Sequence, residues 1–130
     1  MELSDNISGL QHLGLPTKYF QETVDFYQSL GFREEMRTRM GPKDQPVAFL
    51  KLGNLVVEAY EVDAAAGQTG AIDHFSLDIR DIEAAFAAVQ KLNPRMQTDG
   101  ICSLPFWEKG MRYFSILGPN QERIEFCQVL

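Results

Sequence analysis

Cysteine and histidine are both scarce in this sequence, at two residues each among 130. Two thiols, Cys102 and Cys127, are too few for a disulfide framework and fall in no CxxC or other zinc spacing; this excludes a cystine-stapled scaffold and a thiolate zinc module. Basic charge is also short. Twelve Lys and Arg against 18 Asp and Glu give a formal net charge of −6 and a pI near 4.8. With no basic stripe to neutralise phosphates, nucleic acid and anionic membrane surfaces are excluded as partners. No apolar run is long enough to cross a bilayer, and Met1–Asn6 lacks the basic and apolar regions of a secretory leader, so a soluble cytoplasmic protein is expected.

What is present is a 45% hydrophobic chain of a size that suits one compact unit, or two small halves built to one plan. After an N-terminal arm over 1–8, residues 9–15 alternate as a strand closed by Pro16 and Thr17. Phe20, Val24, Tyr27 and Leu30 form one stripe of a helix over 18–30, with Thr17 as N-cap and Gly31 as C′ residue. Strands follow at 32–39, 47–51 and 55–62, the last two joined by the Gly53-Asn54 turn. Small residues and two glycines over 63–70 mark a linker.

The pattern then begins again. Residues 71–79 read as a strand, Asp81 caps a helix with the stripe Ile82, Ala85, Phe86, Val89 and Leu92, and Asn93-Pro94 ends it. Beyond an extended stretch with turns over 96–107, residues 111–117 alternate as a strand. Gly118-Pro119-Asn120 turns that strand into a final one carrying Ile124 and Phe126 on one face and Arg123, Glu125 and Cys127 on the other. A shift of 62 residues lays His12 on His74, and a shift of 67 lays Glu58 on Glu125. Module 1 therefore spans about 7–62 and module 2 about 71–129 of a single domain.

Both histidines are expected inside the first strand of their half, and each half ends in a strand holding a carboxylate among apolar residues. A pseudo-twofold relation between the halves would converge His12, Glu58, His74 and Glu125 on one site. Two imidazoles and two carboxylates suit a divalent ion with water completing the shell, an open and catalytic set rather than a closed structural one. Taken singly, each His reads as a packing residue, and Glu58, Glu61, Glu122 and Glu125 read as edge-strand charges.

The motifs Gln11-His12-Leu13-Gly14-Leu15, Phe26-Tyr27-Gln28-Ser29-Leu30-Gly31-Phe32, Val57-Glu58, Asp73-His74-Phe75-Ser76-Leu77-Asp78, Gly118-Pro119-Asn120 and Ile124-Glu125-Phe126, in this order, resemble the vicinal oxygen chelate superfamily of glyoxalase, bleomycin-resistance and extradiol dioxygenase proteins. The resemblance implies an α+β fold of two βαβββ modules whose curved mixed sheets form a cleft, usually completed in a homodimer. It implies a metal held by His12, Glu58, His74 and Glu125, with nickel, cobalt, zinc, manganese and iron all compatible. It further implies a lactoylglutathione lyase-like metalloenzyme, a lyase or isomerase in which Glu125 or Glu58 moves a carbon-bound proton and an enediolate is stabilised. The substrate it implies is a small oxygenated molecule, a hydroxy-ketone or a hemithioacetal.

Glu58 speaks against the extradiol dioxygenases, which leave that position without a ligand. A non-catalytic drug-sequestering protein of the same fold is the alternative. For substrate contacts the candidates are Arg33, Phe106, Trp107, Lys109 and Arg112, with Arg37 a further cation for a thiol's carboxylates.

Overall fold

The computed structural model describes residues 2–70 and 72–130, and its chain folds into two mixed sheets with few helices. A four-residue exposed helix α1 (Leu3–Asn6) precedes β1 (Leu13–Thr17), α2 (Phe20–Ser29), β2 (Arg33–Met40), β3 (Gln45–Leu52) and β4 (Leu55–Glu61). The second series is β5 (His74–Asp78), α3 (Ile82–Gln90), β6 (Arg95–Met96), β7 (Cys102–Leu104), β8 (Met111–Leu117) and β9 (Arg123–Val129). Strand order is β1-β4-β3-β2 in the first sheet and β5-β9-β8-β6 in the second, with β7 added beside β8. In both, the first strand lies parallel to the last and the others are antiparallel. The repeat expected from the spacing of His and Glu is thus a repeat of topology.

The elements differ from expectation at their ends. β1 starts at Leu13, so His12 immediately precedes it rather than lying within it, and Pro16 and Thr17 complete the strand. Proline is tolerated there because β1 is an edge, paired only with β4. Thr17 is not the N-cap of α2: that position is Tyr19, and the Thr17 hydroxyl instead accepts from the Tyr19 N–H at 2.9 Å. The second series opens at His74; Ala71, where its strand was expected to begin, lies outside the described residues. Leu92 falls beyond α3 and is exposed.

Other signals hold. Asp81 accepts from Ala84 N at 3.1 Å and caps α3. At the end of α2, Gly31 adopts φ 105, its N–H reaches Gln28 O and that of Phe32 reaches Tyr27 O. This is a Schellman closure, sealed by the edge-on contact of the Tyr27 and Phe32 rings.

Each helix covers one face of its own sheet, and the two helix-facing surfaces merge into one core. Tyr27, Val24, Leu50 and Val57 from the first series join Ile82, Phe114, Ile116, Ile124 and Phe126 from the second. A buried polar knot crosses between the series. The Thr17 hydroxyl donates to Asn120 Oδ1 at 2.7 Å, and Asn120 Nδ2 donates to the Thr23 hydroxyl at 2.9 Å. Beside it the Tyr27 hydroxyl donates to Glu122 at 3.0 Å, and the same carboxylate accepts from Asn120 N. Burial pushes the Glu122 carboxyl above its ordinary value, against the pull of these hydrogen bonds. Gly118 is needed opposite, because a Cβ there would overlap the Glu122 carboxylate.

The Gly-Pro-Asn turn, read from the sequence as a strand connector, therefore also ties the second sheet to the start of α2. Glu122 is no edge-strand charge but part of this buried contact.

Candidate metal and substrate site

With Val57 and Ala59 turned into the core, the two-residue period of β4 sends Glu58 to the opposite face. The same parity on β9, with Ile124 and Phe126 in the core, presents Glu125. Register then sets the histidines. Gly14 pairs with Glu58 and Ser76 with Glu125, so His12 and His74 each stand two positions before the residue that faces the carboxylate. His12 Nε2 lies 3.3 Å from Glu58 Oε1, and His74 Nε2 lies 3.9 Å from Glu125 Oε1.

The four residues do not meet in one chain. They form two pairs, one per sheet, and among the described residues no three His, Cys, Asp or Glu side chains are grouped to hold an ion. The expected convergence is corrected here for a physical reason. Parallel pairing of β1 with β4 and of β5 with β9 joins each His to the Glu of its own sheet, and no strand of one sheet pairs with the other.

Each histidine is nevertheless oriented by the residue before it. His74 Nδ1 bonds the Asp73 carboxylate at 2.8 Å, and His12 Nδ1 bonds the Gln11 side-chain oxygen. A carboxylate only accepts, so the Nδ1 of His74 donates to Asp73 and the ring is turned with Nε2 toward Glu125. This is the orientation that a metal-ligating imidazole takes from its neighbours. Asp73 is itself held by Arg123 Nη1 at 2.9 and 2.8 Å, and Arg123 Nη2 donates to Gln97 at 2.8 Å. The His74 hydrogen bond first, and the Arg123 charge beside it, keep the Asp73 carboxyl below its usual range. Arg123 Nε is buried and without a partner among the described residues.

The halves differ in their surroundings. His12 packs its ring edge-on to Phe49, the residue opposite Glu58. In the second sheet the corresponding position is Ser115, opposite Glu125, and the face opens into a cavity of about 530 Å³. Phe106, Trp107, Met111 and Tyr113 share that cavity with His74 and Glu125.

Of the expected substrate residues, Phe106 and Trp107 therefore lie with the second pair. Lys109 lines a neighbouring depression, and Arg112 turns away to bond Glu83 at 3.2 Å. Arg33 sits on the exposed strand β2 opposite Lys51, and Arg37 bonds Glu34 and lies 5.1 Å over the Phe20 ring. Sequence reasoning assigned no role to Gln11, Asp73, Tyr113 or Arg123. The available signal was a side-chain acceptor directly before both histidines.

Fold and paired donors fit one protein class, and the sequence bears this out. The chain belongs to the glyoxalase/bleomycin resistance protein/dioxygenase superfamily, whose profile matches residues 9–126. It is similar to the uncharacterized protein YwbC of Bacillus subtilis (strain 168), at 28% identity over 130 residues, covering 92% of this chain and 96% of the relative.

Solved structures of the same fold include a glyoxalase family protein from Enterococcus faecalis, with TM-score 0.78 and 18% identity over 94% of this chain and 98% of that one. Another is the fosfomycin resistance protein FosX of Listeria monocytogenes, complexed with Mn(II) and sulfate, with TM-score 0.71 and 18% identity over 95% and 94% of the two chains. Among the described residues no helix is long and apolar enough to cross a membrane.

Proposed function

We propose that the protein is a metal-dependent lyase or isomerase of glyoxalase type, and that its metal site is assembled between two copies of the chain. The His12–Glu58 pair of one copy would meet the His74–Glu125 pair of the other, giving two imidazole nitrogens and two carboxylates. The donor set fits a divalent ion of the manganese-to-zinc series, and the Mn(II) bound by FosX is in keeping with it. When bound, such an ion supplies Lewis-acid polarisation of adjacent substrate oxygens. Gln11 and Asp73 fix the ring orientations, and Arg123 holds Asp73 in place.

Glu125 is the better placed base of the two carboxylates. Its oxygen stands 3.9 Å from His74, beyond hydrogen-bond length, and it faces the open cavity, whereas Glu58 is drawn to His12 at 3.3 Å. It takes a proton from the carbon beside a carbonyl and returns it to the neighbouring carbon.

The observation that carries this reading is the matched register of the two His–Glu pairs, which leaves each chain with two equivalent half-sets and no whole one. Mixing two inactive variants tests it. His12→Ala and His74→Ala chains, unfolded together and refolded, regain about a quarter of the wild-type sites if a closed dimer shares them. Sites contained in one chain regain none. Absence of stoichiometric nickel, cobalt, zinc or manganese in the wild-type protein would instead favour a non-catalytic binder.

A further inference from the structure

The cavity beside Glu125 differs in character from the polar pair it contains. Leu104, Phe106, Trp107, Met111, Tyr113 and Cys127 make most of its wall. Arg123 is the one cation among its lining residues, and its two terminal nitrogens are taken by Asp73 and Gln97. Arg112, the nearest strand cation, lies on the opposite face with Glu83. An anionic substrate would thus meet the Glu125 carboxylate and an Arg123 whose terminal nitrogens are already engaged.

A second observation concerns the loop that closes the wall. Trp107, the single tryptophan of the chain, holds φ 62, a left-handed conformation that disfavours a large side chain. The residue is 66% exposed, so little packing within the chain compensates for that backbone. Phe106, 52% exposed, meets it edge-on at 6.3 Å between ring centres. An exposed aromatic pair at a cavity mouth, one member of it on strained backbone, is placed to stack a ligand.

We infer that the substrate is an uncharged molecule with a flat apolar body, gripped by Phe106 and Trp107 while its adjacent oxygens point toward Glu125. The inference rests on the site proposed above for the oxygens, and on the cavity wall alone for the body. Phosphonates and glutathione conjugates, which need free cations, are disfavoured.

Chelator-treated wild-type protein is titrated with phenacyl alcohol, phosphonoacetate and S-hexylglutathione, using calorimetry and Trp107 fluorescence. The aromatic hydroxy-ketone is expected to bind at least about tenfold more tightly than either anion. Phe106→Ala and Trp107→Leu are each expected to weaken it about tenfold, read by calorimetry, with secondary structure and metal uptake unchanged. Tighter binding of either anion, or indifference of the ketone to both substitutions, overturns the inference. Because these titrations contain no metal, ketone binding without turnover on adding ions would remove the lyase reading and leave the grip of Phe106 and Trp107 on the flat body standing.

Discussion

The Asp73 carboxylate holds Nδ1 of His74 at 2.8 Å while gripping Arg123 through both of its oxygens. Replacing it by asparagine keeps the size and removes the charge that fixes this imidazole. Asp73→Asn is expected to weaken divalent-metal affinity about 10–100-fold, the usual loss when a ligand histidine is released by its supporting group. Calorimetric titration with nickel or manganese measures it. Nitrogen-15 shifts of His74 in the metal-free protein should show loss of a single Nδ1–H form, which a merely structural role would not produce.

Glu125→Gln preserves a side chain that packs between His74 and Ser115 but cannot take up a proton. Turnover is expected to fall about 10²–10⁴-fold with the circular dichroism spectrum unchanged. Equal loss in Glu58→Gln alone, with full activity in Glu125→Gln, would reverse the assignment of the base.

Asn120 is 6% exposed and bonds both Thr17 and Thr23 across the two series. Asn120→Ala removes one hydrogen bond from each of those buried hydroxyls, which keep each other and Tyr19 as partners, and is expected to cost about 1–3 kcal/mol of stability. Urea denaturation gives the value, and a midpoint within error of wild type would show that the contact is dispensable.

Glu122 sets a pH dependence whose sign follows from burial. Its folded-state pKa lies above the ordinary carboxylate value, because desolvation outweighs the hydrogen bonds from its own amide, Asn120 and Tyr27. Its contribution to stability is therefore whole below the unfolded pKa and is lost as pH rises through the raised folded value. Relative to the non-titrating Glu122→Gln variant, wild type should lose stability across that interval and run parallel to it above. Thermal melts between acid and neutral pH measure the difference, and a constant gap would contradict it.

Periodicity was a good guide where one face of an element is buried. β9 alternates so regularly that Ile124 and Phe126 on one face and Glu125 on the other could be read directly, and the shift from His12 to His74 reported the repeated topology. The same reading failed to foresee that the pairs stay apart. Local register determines which strand a residue faces, but the distance between two sheets depends on contacts far apart in sequence, here Thr17 with Asn120 and Tyr27 with Glu122. Cations misled for a related reason: Arg112 has the right type and the right strand, yet strand parity turns it toward Glu83. Phe106 and Trp107 were legible as substrate candidates, but nothing in local pattern announces a positive φ at Trp107.

Each chain displays one donor pair of each kind, on sheets fixed to one another by the Asn120 knot, and this limits how copies can combine. In the shared site proposed above, two chains related by a dyad would satisfy all four pairs at once. An association without that closure would strand one unmatched pair at either end, each able to recruit a further molecule. Excess metal would then drive linear polymers, so in that arrangement the seating of the Gly-Pro-Asn turn would govern the assembly as well as the site.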